Sequence, residues 1–353
     1  MVRIGIIGIG FMGMIHYYGA KKVNGCQVTA ICTRNPKKLD GDWTSIQGNF
    51  GPRGGIEDLS NVATYNRIED LLADPNVDLV NICLPTEYHK EVTIAALKAG
   101  KHVLCEKPIE VDIDAANEMV EVSQQSDKQF MVAHVLPFFP EFNYALKTVQ
   151  SGKYGDLLGA HFRRLTSQPS ARSAETIIKS GAPGIDLHIH DTHFIQVLGG
   201  MPDAVFSRGK IATSQDGIAT SFVDYLSTQY IYQDNPQLTI SSWSGGISAK
   251  ARAFSHSFEI FLEQATLTFE ASTLAGQGVS NPLQLIESNG EVHHPDLDQS
   301  DPVDAFTNEI AYAISALEGS VDDGFLSGIG ARNALALCYK EAESIATGKI
   351  VVV

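Results

Sequence analysis

Six residues near the start of the chain, Gly8-Ile9-Gly10-Phe11-Met12-Gly13, constrain it more than any others. They form a G-x-G-x-x-G directly after an apolar run, Arg3–Gly8 (RIGIIG), and open a helical stretch, Phe11–Lys22. In a strand–turn–helix setting the first glycine permits a tight turn and the second lets a pyrophosphate approach the backbone. The third lets the helix pack closely on the strand. The helix start then offers unpaired N–H groups and the positive end of its dipole to the phosphates. Gly8, Gly10, Phe11, Met12 and Gly13 are therefore the candidate dinucleotide cradle. As a string of letters the motif is weak, because three glycines can simply make a turn. Its place between strand and helix gives it weight.

The pattern that follows repeats the alternation. Gln27–Cys32, Leu79–Leu84, His102–Cys105 and Phe130–Ala133 read as strands. Helices are expected from Tyr88 to Ala99 and from Asp114 to Gln125, the latter with Asp112 as its N-terminal cap. Apolar runs without alternation are strands buried on both faces, so the first part reads as a doubly wound parallel sheet between helix layers. Beyond about residue 135 the pattern changes. Helices are expected at 141–151 and 185–198. Longer strands with period-two alternation follow at Ala204–Ala212, Ala219–Tyr232, Leu238–Ser244, Ser257–Phe261 and Thr266–Phe269. That alternation predicts a large, mostly antiparallel, open sheet. The expected organisation is α/β: a Rossmann domain over 1–134, then an α/β domain over 135–353 closing on a helix at about 331–346.

Composition narrows the function. Twenty-six basic against 41 acidic residues give a formal charge of −15, which argues against nucleic acid or an anionic membrane as partner. No apolar stretch approaches the ~20 residues of a membrane helix, and the opening MVRIGIIGIG is too short and glycine-rich for a signal peptide. The five cysteines, Cys26, Cys32, Cys83, Cys105 and Cys338, are scattered and never spaced C-x-x-C. A reducing cytoplasm without a disulfide framework is the expectation.

The second strand bears on which dinucleotide is held. NAD-selective versions of the motif place an acid about 20 residues on, against the ribose 2′-hydroxyl. Here the strand ends Ile31-Cys32-Thr33-Arg34-Asn35. Thr33 stands where the acid is expected, and Arg34 can pair with a 2′-phosphate. NADP is favoured over NAD.

Two further clusters carry a resemblance. Asn81-Ile82-Cys83-Leu84-Pro85-Thr86 leads into Glu87-Tyr88-His89, and AALKAGKHVLCEKPIE ends on Glu106-Lys107-Pro108. The latter segment resembles the signature of the Gfo/Idh/MocA oxidoreductases, a family that includes glucose–fructose oxidoreductase and inositol dehydrogenase. His16 after the glycine motif, Phe139-Pro140, Gly152-Lys153-Tyr154-Gly155 and GIDLHIHDTHFIQVLGG agree with it. The resemblance implies that Lys107 is the central catalytic lysine, on a turn that in this family commonly has a cis bond to proline. It implies cofactor contacts from Leu84, Pro85, Thr86, His89, Glu106 and Lys107, with Glu106 at the nicotinamide ribose. It also implies a C-terminal sheet that joins subunits, hence a homodimer or homotetramer.

Asp186-Leu187-His188-Ile189-His190 matches the D-x-x-x-H spacing of the inositol dehydrogenase-like members. On a helix, positions i and i+4 share a face. Asp186 and His190 are thus candidates to act together, His190 taking a hydroxyl proton and Asp186 orienting it or binding a second hydroxyl. His188, His193 and Asp191 crowd the same block, but no H-E-x-x-H is present and His188 is expected to face away from His190. No metal is expected there. His293-His294 reads as a solvated loop. Before the aromatic-Pro step, where many members carry an arginine, only His134 offers a polar group. The activity implied is hydride transfer to or from a secondary hydroxyl of a sugar, sugar derivative or cyclitol. A dinucleotide-binding regulator is the rival from another class, and a redox-neutral glycoside-cleaving enzyme with retained cofactor is the rival reaction.

Overall fold

The first strand sets the centre of the N-terminal sheet because Ile4, Ile6 and Ile7 are all within 1% of complete burial. Each such side chain contributes ~1.5–3 kcal/mol on leaving water. The structure, a computed structural model, describes residues 1–168, 172–297, 301 and 303–353. The chain divides into two compact units: Met1–Phe138 with Gln299–Arg332, and Phe139–Asp298 with Asn333–Val353.

In the first unit β1 (Val2–Ile7), β2 (Cys26–Cys32), β3 (Ala63–Tyr65), β4 (Leu79–Ile82), β5 (His102–Glu106) and β6 (Phe130–Ala133) form one sheet. Its order is β3-β2-β1-β4-β5-β6 and every pair is parallel. That is the doubly wound order, with its ligand crevice at the carboxyl ends of β1 and β4, where the winding reverses. Helices α1 (Phe11–Lys22), α2 (Pro36–Leu39), α3 (Ile68–Leu72), α4 (His89–Lys98) and α5 (Ile113–Gln124) make the crossovers. Asp112 Oδ1 accepts the Ala115 N–H at 2.8 Å, the expected cap of α5. The unit also takes in α10 (Val303–Leu317), which the hydrophobic pattern did not announce.

In the second unit α6 (Pro140–Gln150), β7 (Leu157–Ser167), α7 (Ala174–Ser180), α8 (Ala182–Asp186) and α9 (Ile189–Gly199) come first. Strands β8 (Ala204–Thr213), β9 (Ala219–Ile231), β10 (Thr239–Ile247), β11 (Arg252–Leu262), β12 (Ala265–Leu274), β13 (Gln277–Glu287) and β14 (Val292–His293) follow. Helix α11 (Gly328–Thr347) and β15 (Val351–Val352) close the chain. The nine strands form one sheet, β14-β13-β12-β11-β7-β10-β9-β8-β15, antiparallel except between β7 and β10. The mostly antiparallel sheet matches expectation, but β7 at its heart was not anticipated.

One expected element is corrected. The helix foreseen over 185–198 is two helices, broken at Leu187-His188. There the His188 N–H reaches back to the Pro183 carbonyl at 2.9 Å, one residue further than an α-helix allows. The buried attachments of His188 hold the chain at the break. No helix of the described residues is long and apolar enough to cross a membrane.

Candidate functional site

The glycine loop has the geometry its spacing requires. Gly8 sits at φ +96°, and a Cβ there would lie 2.4 Å from the Cys83 carbonyl oxygen. At Gly13 a Cβ would lie 2.0 Å from the Gly8 carbonyl oxygen, so helix and strand touch there. At Gly10 nothing lies within 4 Å of that position. Two glycines are demanded by packing and one leaves open space above the start of α1, the arrangement a pyrophosphate needs. Phe11 is committed to packing: Phe50 meets its ring edge-on at 4.8 Å, and Gly48 approaches it where no Cβ would fit. Met12 is half-buried.

At the end of β2, Thr33 Oγ1 accepts the Asn35 N–H at 3.3 Å and Arg34 is exposed. The structure adds a residue that sequence reasoning missed. Lys38 Nζ donates to the carbonyl of Ile9, inside the glycine loop, at 2.5 Å. Burial lowers its basicity, and among the described residues it forms no ion pair. An ammonium has three donors and one is used here. The signal was present as Lys37-Lys38 one turn beyond Arg34, but only the fold shows which lysine turns inward.

Lys107 stands just past β5 on a turn whose bond to Pro108 is cis. The turn is held from below. Glu106 Oε2 accepts the Lys107 backbone N–H at 3.0 Å and Glu106 Oε1 lies 2.9 Å from His16 Nε2. The other ring nitrogen, His16 Nδ1, lies 2.7 Å from Asn81 Nδ2. The Asn81 amide is oriented by the Cys83 thiol, which donates to its oxygen at 3.4 Å. Asn81 therefore donates to Nδ1, and Nε2 carries the N–H that Glu106 accepts. His16, Asn81 and Glu106 are all buried. His89 is buried as well. Its Nδ1 and Nε2 lie 2.9 Å from the carbonyl oxygens of Pro108 and Leu84. Burial, opposed by those carbonyls, lowers its basicity. The imidazole thus brackets the Leu84-Pro85-Thr86 loop to the Lys107 turn, and both its nitrogens face backbone rather than open space.

In the second unit Asp186 ends α8 and is exposed, while His190 in the first turn of α9 is half-buried. The turn between them is anchored by groups the sequence did not mark. His188 Nε2 lies 2.9 and 3.2 Å from the two oxygens of Glu341, and Tyr230 donates to Glu341 at 2.6 Å. Asp191 accepts from Arg164 Nε at 2.9 Å and from the Ser244 hydroxyl at 3.0 Å. All these side chains are buried. His188 is thus an ion-pair partner beneath the turn. Burial alone would lower its basicity, but Glu341 and Asp191 outweigh that and lift its pKa to about 9. Elsewhere His293 lies 3.3 Å from Glu287 and 3.7 Å from Glu291, so the loop expected to be merely solvated has acidic neighbours. His134 is buried.

Comparison with known proteins now bears on these geometries. Residues 2–134 match the oxidoreductase family with an NAD-binding Rossmann fold, Gfo/Idh/MocA. The match makes residues 2–134 a Rossmann domain of the Gfo/Idh/MocA type. The myo-inositol 2-dehydrogenase of Thermotoga maritima is 29% identical over 217 residues, 61% of this chain. In that alignment the chain spans 60% of the relative's length. The inositol 2-dehydrogenase of Rhizobium meliloti is 26% identical over 98% of this chain and 97% of its own. Among solved structures, an NAD binding oxidoreductase from Klebsiella pneumoniae superposes with a TM-score of 0.81 at 18% identity, covering 100% of this chain and 99% of that one. That likeness speaks for the fold of both units.

Proposed function

We propose that the protein is a nicotinamide-dependent oxidoreductase that moves a hydride to or from a secondary hydroxyl of a sugar, sugar derivative or cyclitol. One observation carries this reading: the open glycine loop and the anchored Lys107 turn stand at the carboxyl ends of the parallel strands, where α/β sheets bind their ligands. The dinucleotide, when bound, supplies the hydride chemistry. The chain's own residues do the rest. Gly8, Gly10 and Gly13 admit the pyrophosphate, and Lys107 steadies negative charge developing on the substrate oxygen. His190 takes the hydroxyl proton, oriented by Asp186. The inositol dehydrogenases among the relatives support a cyclitol as the first substrate to try.

The test is a screen of inositols and hexoses with NADP⁺ and NAD⁺, following nicotinamide absorbance. Absorbance change with a cyclitol or sugar supports the reading. Substrate cleavage without absorbance change would replace it by redox-neutral chemistry. Tight dinucleotide binding without any turnover would favour a regulator.

NADP is the favoured cofactor, because the end of β2 offers no acid and two cations, Arg34 and Lys38, with no ion pair among the described residues. Arg34→Glu is expected to weaken NADPH binding by ~10- to 100-fold, the worth of a charge-assisted hydrogen bond to phosphate, while sparing NADH. Fluorescence titration reads both; an unchanged NADPH affinity would remove Arg34 from the site.

Self-association through the second sheet belongs to the same proposal. By strand register Tyr225, Trp243 and Phe261 share a face, and they stay 40%, 42% and 40% exposed. Trp243→Glu is expected to shift the protein to a smaller species by light scattering, because a buried charge would be left unpaired in the interface.

A further inference from the structure

Two carboxyl groups converge on one imidazole in the first unit. His16 Nε2 lies 2.9 Å from Glu106 Oε1 and 4.0 Å from Glu309 Oε2. His16 and Glu309, the latter from α10, are both 0% exposed. The two acids are held differently. Glu106 accepts N–H groups from His16 and from the Lys107 backbone. Neither oxygen of Glu309 has a hydrogen-bond partner among the described residues. Two carboxylates cannot both ionise cheaply beside one buried ring, so the acid without donors keeps the proton. Burial, and then the charge of Glu106, push Glu309 well above the ordinary carboxyl range. A buried acid without partners lowers stability, so packing does not explain a glutamate on this face of α10.

We propose that Glu309 is the charge-compensating residue of the dinucleotide site: it holds a proton while Glu106 is the one anion beside Lys107, and gives that proton up when positive charge is brought to Glu106. This rests on the dinucleotide reading above. The step breaks one O–H bond. The Glu309 proton goes to solvent. His16 and Glu106 end as they began, Glu309 ends ionised, and no electrons change hands. The ionisable groups facing this pocket are His16 from α1, Cys83 after β4, Glu106 from β5 and Glu309 from α10, while Cys105, adjacent to Glu106 in β5, points to the other face of the sheet toward Thr93 of α4. His89 from α4 stands behind Glu106. Burial pushes both thiols up and lowers His89, whose two ring nitrogens are held by the Pro108 and Leu84 carbonyls. Oxidised and reduced dinucleotides differ by one positive charge on the nicotinamide ring, which makes them a matched pair of probes.

The experiment is calorimetric titration of the full chain, and of Glu309→Gln, with NADP⁺ and NADPH in two buffers of different ionisation enthalpy. The wild-type protein is expected to release more protons with NADP⁺ than with NADPH, the difference approaching ~1 proton per site. Glu309→Gln, with the same shape and no proton to lose, is expected to abolish that difference. Equal release by the wild type, or a difference that survives in Glu309→Gln, overturns the proposal. If the variant does not fold, infrared spectroscopy of the wild type decides. The C=O band of a buried protonated carboxyl should fall on adding NADP⁺ and hold with NADPH, and its absence overturns the proposal. Binding of neither dinucleotide would sink the cofactor reading and this inference together. Binding without a proton difference would sink the inference alone.

Discussion

Lys107→Ala is expected to lower turnover by ~1,000-fold while leaving the dissociation constant for NADPH within ~3-fold. The size follows from the role. A preorganised donor aimed at a developing oxyanion is worth ~3–4 kcal/mol when water is excluded, and removing one lowers kcat by ~10²–10³. Lys107 adds full charge to that donor, which places the loss at the upper end. The selectivity of the loss follows from the architecture. The pyrophosphate cradle is built from Gly8, Gly10 and Gly13, and its shape depends on contacts to Cys83 and to Gly8 itself. The Lys107 turn is held separately, through its backbone N–H on Glu106 and through Pro108 on His89. Truncating the side chain leaves both attachments in place. Lys107→Arg is expected to recover only part of the rate, because a planar fork does not put charge where a compact ammonium does. Steady-state kinetics with the cyclitol or sugar found in the screen, paired with NADPH fluorescence titration, checks both halves. Unchanged turnover would end the catalytic assignment. Loss of turnover in step with loss of NADPH affinity would make Lys107 a cofactor ligand instead.

The difference between what could and could not be read from the sequence is physical. The parallel sheet was legible because strands buried on both faces are apolar in their cores, and no polar residue interrupts Ile4–Ile7 in β1 or Val103–Cys105 in β5. The glycine loop was legible because its constraint is local: three residues without Cβ at fixed spacing. Strand β7 was not, because Arg163-Arg164 sits in its middle and reads as surface. Arg164 is instead 5% exposed and ion-paired with Asp191, 27 residues away in sequence. Helix α10 hid Glu309 in the same way, since a glutamate on an apolar face is ordinarily exposed. Lys38 and Glu341 were missed for a related reason. The partner that gives each one meaning, the Ile9 carbonyl and His188, is brought near only by the fold. Charges whose partners are distant in sequence carry no local signal.

Those buried charges set the second large effect. Asp191→Ala is expected to destabilise the second unit by ~3–5 kcal/mol, the loss when one member of a buried ion pair is removed and its partner stays charged. Arg164 would be left 5% exposed without its carboxylate, and His188 would lose one of its two acidic neighbours. The same cluster predicts how stability varies with pH. Glu341 and Asp191 lift His188 against the effect of burial, to about 9. A folded value above the unfolded one of ~6.5 means that its stabilisation is complete below ~6.5 and is lost as pH rises through about 9. The shift amounts to ~3 kcal/mol at most. Asp191 works in the opposite sense. Burial would raise it, but Arg164 and His188 hold it well below the usual carboxylate range. Its contribution is present above ~3.8 and fades as pH falls. Urea unfolding followed across pH should therefore show greatest stability between ~4 and ~6.5 and a decline toward 9. In His188→Asn, which keeps a polar side chain but cannot take a proton, the decline between 7 and 9 should disappear. A wild-type stability that rises from pH 7 to 9 would mean that His188 is neutral in the folded protein. The turn bearing His190 would then be held by hydrogen bonds alone, not by charge.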